Sequence, residues 1–269
     1  MVNTGVVMFA FNTQTVDYVE IAARAAKLIT HTLNLPTTLI TDIEPASSIK
    51  SRFDQVVISN SGLDNRRIGQ FESGSEWKNG NRFNAYDLSP YDTTILLDSD
   101  YLMLDTSLLT ITTMVNDYQI MNDNRVLSTT ETQYNMGITS LPYIWATAVV
   151  FRKTAKAKML FDLVGRIQRN YQYYYKLYQV DHDNFRNDYA FTIANRMLNG
   201  YATEKTCSMP FKMLTVEVEV ESISKHKNML IIKDKKTAYA VPKQNMHVID
   251  KQYLLSNDYL LFLETLCQD

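Results

Sequence analysis

The chain has 269 residues, 45% hydrophobic and 21% charged, with a formal net charge of −2. That length allows one large α/β domain or two small ones, and the charge gives no whole-molecule pull toward nucleic acid, although a local basic patch remains open. Two cysteines, Cys207 and Cys267, exclude a disulfide framework. With no apolar run near the roughly 18 residues of a membrane span and no basic-then-apolar leader, a cytoplasmic protein with no membrane partner is expected.

Val6–Phe11 (VVMFAF) predicts a first strand. Asn12-Thr13-Gln14-Thr15 supplies N-cap residues, and Val16, Val19, Ala23, Ala26, Ile29 and Leu33 then recur at helical spacing. Thr37–Thr41 and Phe53–Ser59 predict two further strands, so the N-terminal segment is a crossover unit of a parallel sheet. Asn60–Gly80 is polar and carries Gly62, Gly69, Gly74 and Gly80 with Arg66, Arg67 and Lys78, the pattern of a long functional loop. A short helix within Trp77–Leu88 brings Arg82, Phe83 and Tyr86 together.

Tyr91–Leu104 (YDTTILLDSDYLML) is the centre of the chain. An apolar run, Ile95-Leu96-Leu97, delivers two carboxylates, Asp98 and Asp100, at the end of a buried strand. Residues i and i+2 of a strand share a face, and ligands of open α/β sheets bind at strand carboxyl ends. A dication resolves the repulsion of two neighbouring carboxylates.

Asp117–Tyr143 is poor in apolar residues and reads as a mobile, acceptor-facing insert around one short strand near Arg125–Thr129. Ile144–Phe151 predicts a strong strand. Lys156–Val180 predicts one helix with a core stripe of Leu160, Leu163, Val164, Ile167, Tyr171, Tyr174 and Tyr178. Its other face carries Arg166, Arg169, Tyr173 and Lys176. With Arg152, Lys153, Lys156 and Lys158 this is either a solvated face or a surface for an anionic partner such as DNA. Asp181–Asn187 predicts a turn, Asp188–Leu198 a helix, Met213–Ile223 (with VEVEV) a half-exposed strand, and Met229–Lys233 with Ala238–Val241 a strand pair. Asn245–Asp250 places His247 late in the chain, and Tyr253–Cys267 predicts a terminal helix.

Asp98, Asp100 and His247 form a ligand set that suits Mn²⁺ better than Mg²⁺, because nitrogen is the softer donor. Lys78, Arg82 and Lys251 are cations available to phosphate oxygens. The glycine-rich loops of P-loop and dinucleotide-binding proteins are missing.

In Tyr91-Asp92, the Ile95–Asp100 D-x-D motif and the preceding Arg82 region, the chain resembles the metal-dependent GT-A glycosyltransferases, and within them family 8, the glycogenin-like group. The resemblance runs from Val6 to about Lys251. In character it is closest to the short glycosyltransferase-like proteins of tailed bacteriophages. It implies a single α/β domain with a Rossmann-like, mostly parallel central sheet flanked by helices, a small C-terminal antiparallel region and a terminal helix. Residues 1–112 become a nucleotide-sugar half, 113–250 an acceptor half and 251–269 the C-terminal helix. Asp98, Asp100 and His247 are then the ligands of Mn²⁺ (or Mg²⁺). Phe9, Ala10, Phe11, Asn12, Lys78, Arg82, Ser99 and Lys251 are the contacts of a UDP-sugar donor, and Asp188 is the acidic residue beside sugar and acceptor. A hydroxymethylated base in phage DNA is then an acceptor, held by the Arg166, Arg169 and Lys176 face in the host cytoplasm. The sequence departs from the family where Trp145-Ala146-Thr147 replaces Asn-Ala-Gly, and it lacks the glycine and Lys-Pro-Trp that follow the histidine. Transfer to a saccharide or protein, a noncatalytic binding module, and a haloacid dehalogenase-type phosphohydrolase stay open. The last would use Asp98 as nucleophile and Asp181 and Asp183 as its later acidic pair.

Overall fold

Residues of β1 (Thr4–Phe9) after the first are buried on both sides: Val7 and Phe9 enter one core cluster, Val6 and Met8 another. A strand with apolar residues at both parities can lie only inside a sheet covered on both faces. The computed structural model describes residues 3–60, 65–67, 75–129, 135–136, 141–180, 184–201 and 207–268.

Helix α1 (Tyr18–Leu33) begins later than the Asn12–Thr15 caps predict. Asp17 is its N-cap, accepting from the Glu20 N–H at 2.9 Å, while Asn12 Oδ1 instead accepts from the Val19 N–H. The helix ends at Asn34 in the left-handed region (φ 52°). Then follow β2 (Thr37–Thr41), β3 (Gln55–Ile58), β4 (Thr93–Leu97) and β5 (Tyr101–Leu102). The predicted insert supplies β6 (Tyr118–Met121) and β7 (Asn124–Val126). The chain continues through β8 (Trp145–Arg152), α2 (Ala155–Arg169), α3 (Tyr171–Leu177), α4 (Asn187–Leu198) and β9 (Met213–Val216). It ends with β10 (Ser222–His226), β11 (Met229–Lys233), β12 (Ala238–Pro242), β13 (Met246–Val248), α5 (Lys251–Leu255) and α6 (Asn257–Cys267).

Among the described residues the central sheet has the order β3-β2-β1-β4-β8-β6, and β8 alone runs antiparallel to its neighbours. Helices α2 and α4 cover one face and α1 the other. A second sheet, β5-β13-β9-β7, carries the chain away from β4, and β10-β11-β12 form an antiparallel sheet packed on α6.

The structure corrects four further expectations. The Lys156–Val180 helix breaks at Asn170 (φ −119°, ψ 31°), whose backbone N–H and side-chain amide both donate to the Arg166 carbonyl and close the first segment there. The terminal helix is split at Ser256, whose hydroxyl caps α6 through the Tyr259 N–H. The VEVEV strand stops at Val216, because the Glu217 carboxylate turns to accept from the Leu127 and Ser128 N–H groups. The Asp117–Tyr143 insert contributes β6 to the edge of the central sheet and β7 to the second one, rather than one strand. Positions 130–134 and 137–140 of that insert, and Gly62, Gly69 and Gly74 of the preceding loop, lie outside the described residues.

Gly5 of β1 lies under the Tyr91 ring: a Cβ there would stand 2.3 Å from the ring carbon Cζ. The ring is buried and its hydroxyl is within 2.8 Å of Thr38 Oγ1, so it has little room to yield. Gly5→Ala is expected to cost about 1–3 kcal/mol by overpacking, measured as a fall in Tm.

Candidate metal and donor site

The chain turns immediately after β4. The Asp98 N–H donates to the Thr147 carbonyl at 2.9 Å, and the Tyr101 N–H donates to the Asp98 carbonyl at 3.2 Å. Asp98 and Asp100 therefore converge through a turn and not through the alternation of a pleat. Strand β5 leaves the central sheet and pairs antiparallel with β13, setting His247 opposite Tyr101. The Val248 N–H closes this seam on the Asp100 carbonyl at 3.0 Å. Asn245 pins the same seam, accepting from the Leu104 and Asp105 N–H groups and donating to Asp105 and Ser107.

Asp98, Asp100 and His247 each present a ligand atom, and the three atoms lie within 4.8 Å of one another. Two carboxylate oxygens and an imidazole nitrogen suit Mn²⁺. Among the described residues Asp100 Oδ1 is buried without a hydrogen-bond partner, and buried polar atoms without partners are costly unless a ligand completes them. The residues present thus fit a divalent ion.

Internal cations surround these groups. Arg82, on the 3₁₀ turn Asn79–Asn84, is wholly buried; Nη1 contacts Asp98 Oδ1 and Nη2 donates to the Ala146 carbonyl at 2.8 Å. Lys251 Nζ contacts Asp100 Oδ2, an oxygen that lies 3.2 Å from His247 Nε2. Burial pushes the Asp98 carboxyl above the usual carboxylate range, with Arg82 opposing and Asp100 reinforcing the shift. Burial acts the same way on Asp100, but Lys251 and His247 overcome it and hold that carboxyl well below the usual range.

A cleft of about 380 Å³ opens over this cluster at the carboxyl ends of β1 and β4. Phe9, Phe11, Lys78, Arg82, Asp98, Ser99, Asp100, Asp188, His247 and Lys251 all line it. Two other expected contacts do not. Ala10 faces the α1 side of the core, and Asn12 turns its side chain to the start of α1. Lys78 Nζ donates to the Asn12 carbonyl at 3.0 Å. Asp188 Oδ1 accepts from the Ala146 N–H at 2.9 Å, and its other oxygen is 3.6 Å from Arg186 Nη2. Burial and the neighbouring Asp188 raise the Tyr143 phenol well above its ordinary range.

Tyr18, Trp145, Arg186 and Asn187 also line the cleft and were missed as site residues by sequence reasoning. Asn187 donates to the Asn79 carbonyl at 2.9 Å, and its buried Oδ1 has no hydrogen-bond partner among the described residues. Only its place beside Asp188 could have drawn attention to it. Arg166 and Arg169 line a different groove, with Phe83 and Asp87, and Lys176 is exposed on α3; none reaches the cleft. Asp181 and Asp183 lie outside the described residues.

The fold is of the GT-A type: a mostly parallel sheet with helices on both faces and a D-x-D turn at its carboxyl edge. Over 98% of this chain and 95% of the other, it is similar to the galactosyltransferase LgtC, solved in complex with donor and acceptor sugar analogs, at 12% identity and a TM-score of 0.50. More distant likenesses are to the glycosyltransferase GlyE of Streptococcus pneumoniae TIGR4 (14% identity, 78% of this chain, TM-score 0.44) and to the core-mannan synthase A of Aspergillus fumigatus (8% identity, 72% of this chain and 69% of the other, TM-score 0.42). The chain spans 46% of the length of GlyE. No family model and no curated protein matches the sequence.

Asp100→Asn and His247→Ala are each expected to weaken Mn²⁺ affinity by about tenfold or more, the scale on which loss of a metal's supporting groups is felt. Calorimetric Mn²⁺ titration beside a thermal melt checks this. A histidine serving only the core would lower Tm and leave the metal affinity unchanged.

Proposed function

We propose that the chain is a metal-dependent glycosyltransferase of the family 8 type, moving a sugar from a nucleoside-diphosphate donor, a UDP-sugar, to an acceptor hydroxyl. One observation carries this reading: the Asp98–Asp100–His247 cluster shares a single cleft with Lys78, Arg82 and Lys251. Carboxylates and an imidazole that fit an ion, gathered with three cations in one cleft, are equipment for a diphosphate. A bound Mn²⁺ (or Mg²⁺) supplies electrostatic stabilisation to the departing diphosphate.

The protein's residues do the positioning. Phe9 and Phe11, at the tip of β1, offer apolar walls to the nucleoside. Arg82 fixes Asp98 and cannot leave it without abandoning the Ala146 carbonyl. Lys78 and Lys251, on flexible four-carbon stems, are the movable cations for phosphate oxygens. Asp188, oriented by the Ala146 N–H and Arg186, is the acidic group for the sugar or the acceptor hydroxyl. In this reading residues 1–112 are chiefly the donor half and 113–250 the acceptor half.

The test is a thermal shift with UDP and Mn²⁺, followed by UDP release from UDP-sugars offered with saccharides, peptides or hydroxymethylcytosine-containing DNA. At saturating ligand a rise in Tm of about 5 °C or more is expected, dependent on Mn²⁺ and lost in Asp100→Asn. Phosphate release from small esters, with no response to UDP, would favour the hydrolase instead.

A further inference from the structure

Each carboxylate lining the cleft already has a cation of the protein against it. Asp98 has Arg82, Asp100 has Lys251, and Asp188 has Arg186. The mutual repulsion that makes paired aspartates attract a dication is largely cancelled by these partners. An ion arriving alone brings two positive charges to carboxylates already compensated.

Lys251 differs from Arg82 in what holds it. Its ammonium has three N–H donors, and three acceptors take them: Asp100 Oδ2, the Ile249 carbonyl at 2.9 Å and the Val248 carbonyl at 3.3 Å. While so held, no donor is left for a phosphate. Asp100 Oδ2 is also the oxygen that His247 Nε2 approaches at 3.2 Å, so the Lys251 ammonium and an ion held by Asp100 and His247 would draw on the same carboxylate. Yet Lys251 lines the cleft at the first residue of α5, on a flexible stem that can turn toward it.

We propose that Lys251 is an internal competitor for the metal: it holds Asp100 until a nucleoside diphosphate draws its ammonium away, so that ion and diphosphate bind as a pair. This rests on the donor-site reading above. Two negative charges of the diphosphate offer the displaced ammonium a new partner, and its departure opens Asp100 to the ion. Coupling of this kind is reciprocal, so UDP tightens Mn²⁺ by the factor by which Mn²⁺ tightens UDP.

The experiment measures Mn²⁺ binding with and without UDP, from the paramagnetic resonance signal of the free ion. It compares the wild-type chain with Lys251→Met and with Lys251→Gln, which keeps hydrogen bonds to the two carbonyls without the charge. In the wild type UDP is expected to tighten Mn²⁺ about 100-fold, and both variants should bind Mn²⁺ alone about tenfold more tightly while losing about that factor of UDP coupling. If both variants bind Mn²⁺ alone no better than the wild type, Lys251 does not compete and the inference is wrong; a fall in Tm with unchanged affinity marks a structural lysine and also overturns it. If the wild type takes up no Mn²⁺ even with UDP, the donor-site reading itself fails.

Discussion

Two carboxylates set side by side and out of water cannot both stay ionised without cations beside them. Asp100, with its side chain 10% exposed, and Asp98, at 30%, meet that constraint in part with Arg82 and Lys251, drawn from well-separated parts of the chain. Arg82 arrives from the 3₁₀ turn before β4, and Lys251 from the helix after β13. Holding them there requires the Asn79–Asn84 turn to pack against α2, as Gln168 does by donating to the Gly80 carbonyl at 3.0 Å. It also requires the C-terminal helices to dock on α1, where Arg24 donates to the Leu254 and Ser256 carbonyls. Much of the architecture can be understood as support for these two ion pairs.

The parallel half of the fold was legible in the sequence because buried strands carry a signal at both parities. VVMFAF, TTLIT and TTILL are continuous apolar or β-branched runs, and each became a strand of the central sheet. The misplaced boundaries share a different cause. Asn170, Ser256 and Glu217 each end an element by sending a side chain to a backbone group, and such local competition leaves the hydrophobic period intact across the break. Leu160, Val164, Ile167, Tyr171 and Tyr174 keep one buried stripe across two helices, so periodicity alone could not show the interruption.

The candidate site was legible in its charged members and obscure in its neutral ones. Asp98, Asp100, His247, Arg82 and Lys251 have few reasons to be buried other than one another, and residue chemistry was enough to gather them. Trp145, Tyr18 and Asn187 are of types that fill cores and turns everywhere, and only the fold shows that they face the cleft. Ala10 and Asn12 lie off the cleft for a simpler reason. Along β1 and just beyond it, neighbours of Phe9 and Phe11 must point away from the side those two residues face.

The D-x-D turn is also where the chain changes sheets. Asp98 closes on the central sheet through Thr147, whereas Asp100 and His247 are carried by the β5–β13 pairing of the second. The ligand cluster therefore belongs to neither sheet alone. A local opening of the small β5–β13 ladder, with only two paired positions, would scatter the ligands while leaving the six-stranded sheet untouched. Anything that bridges these ligands therefore also ties the two sheets to each other.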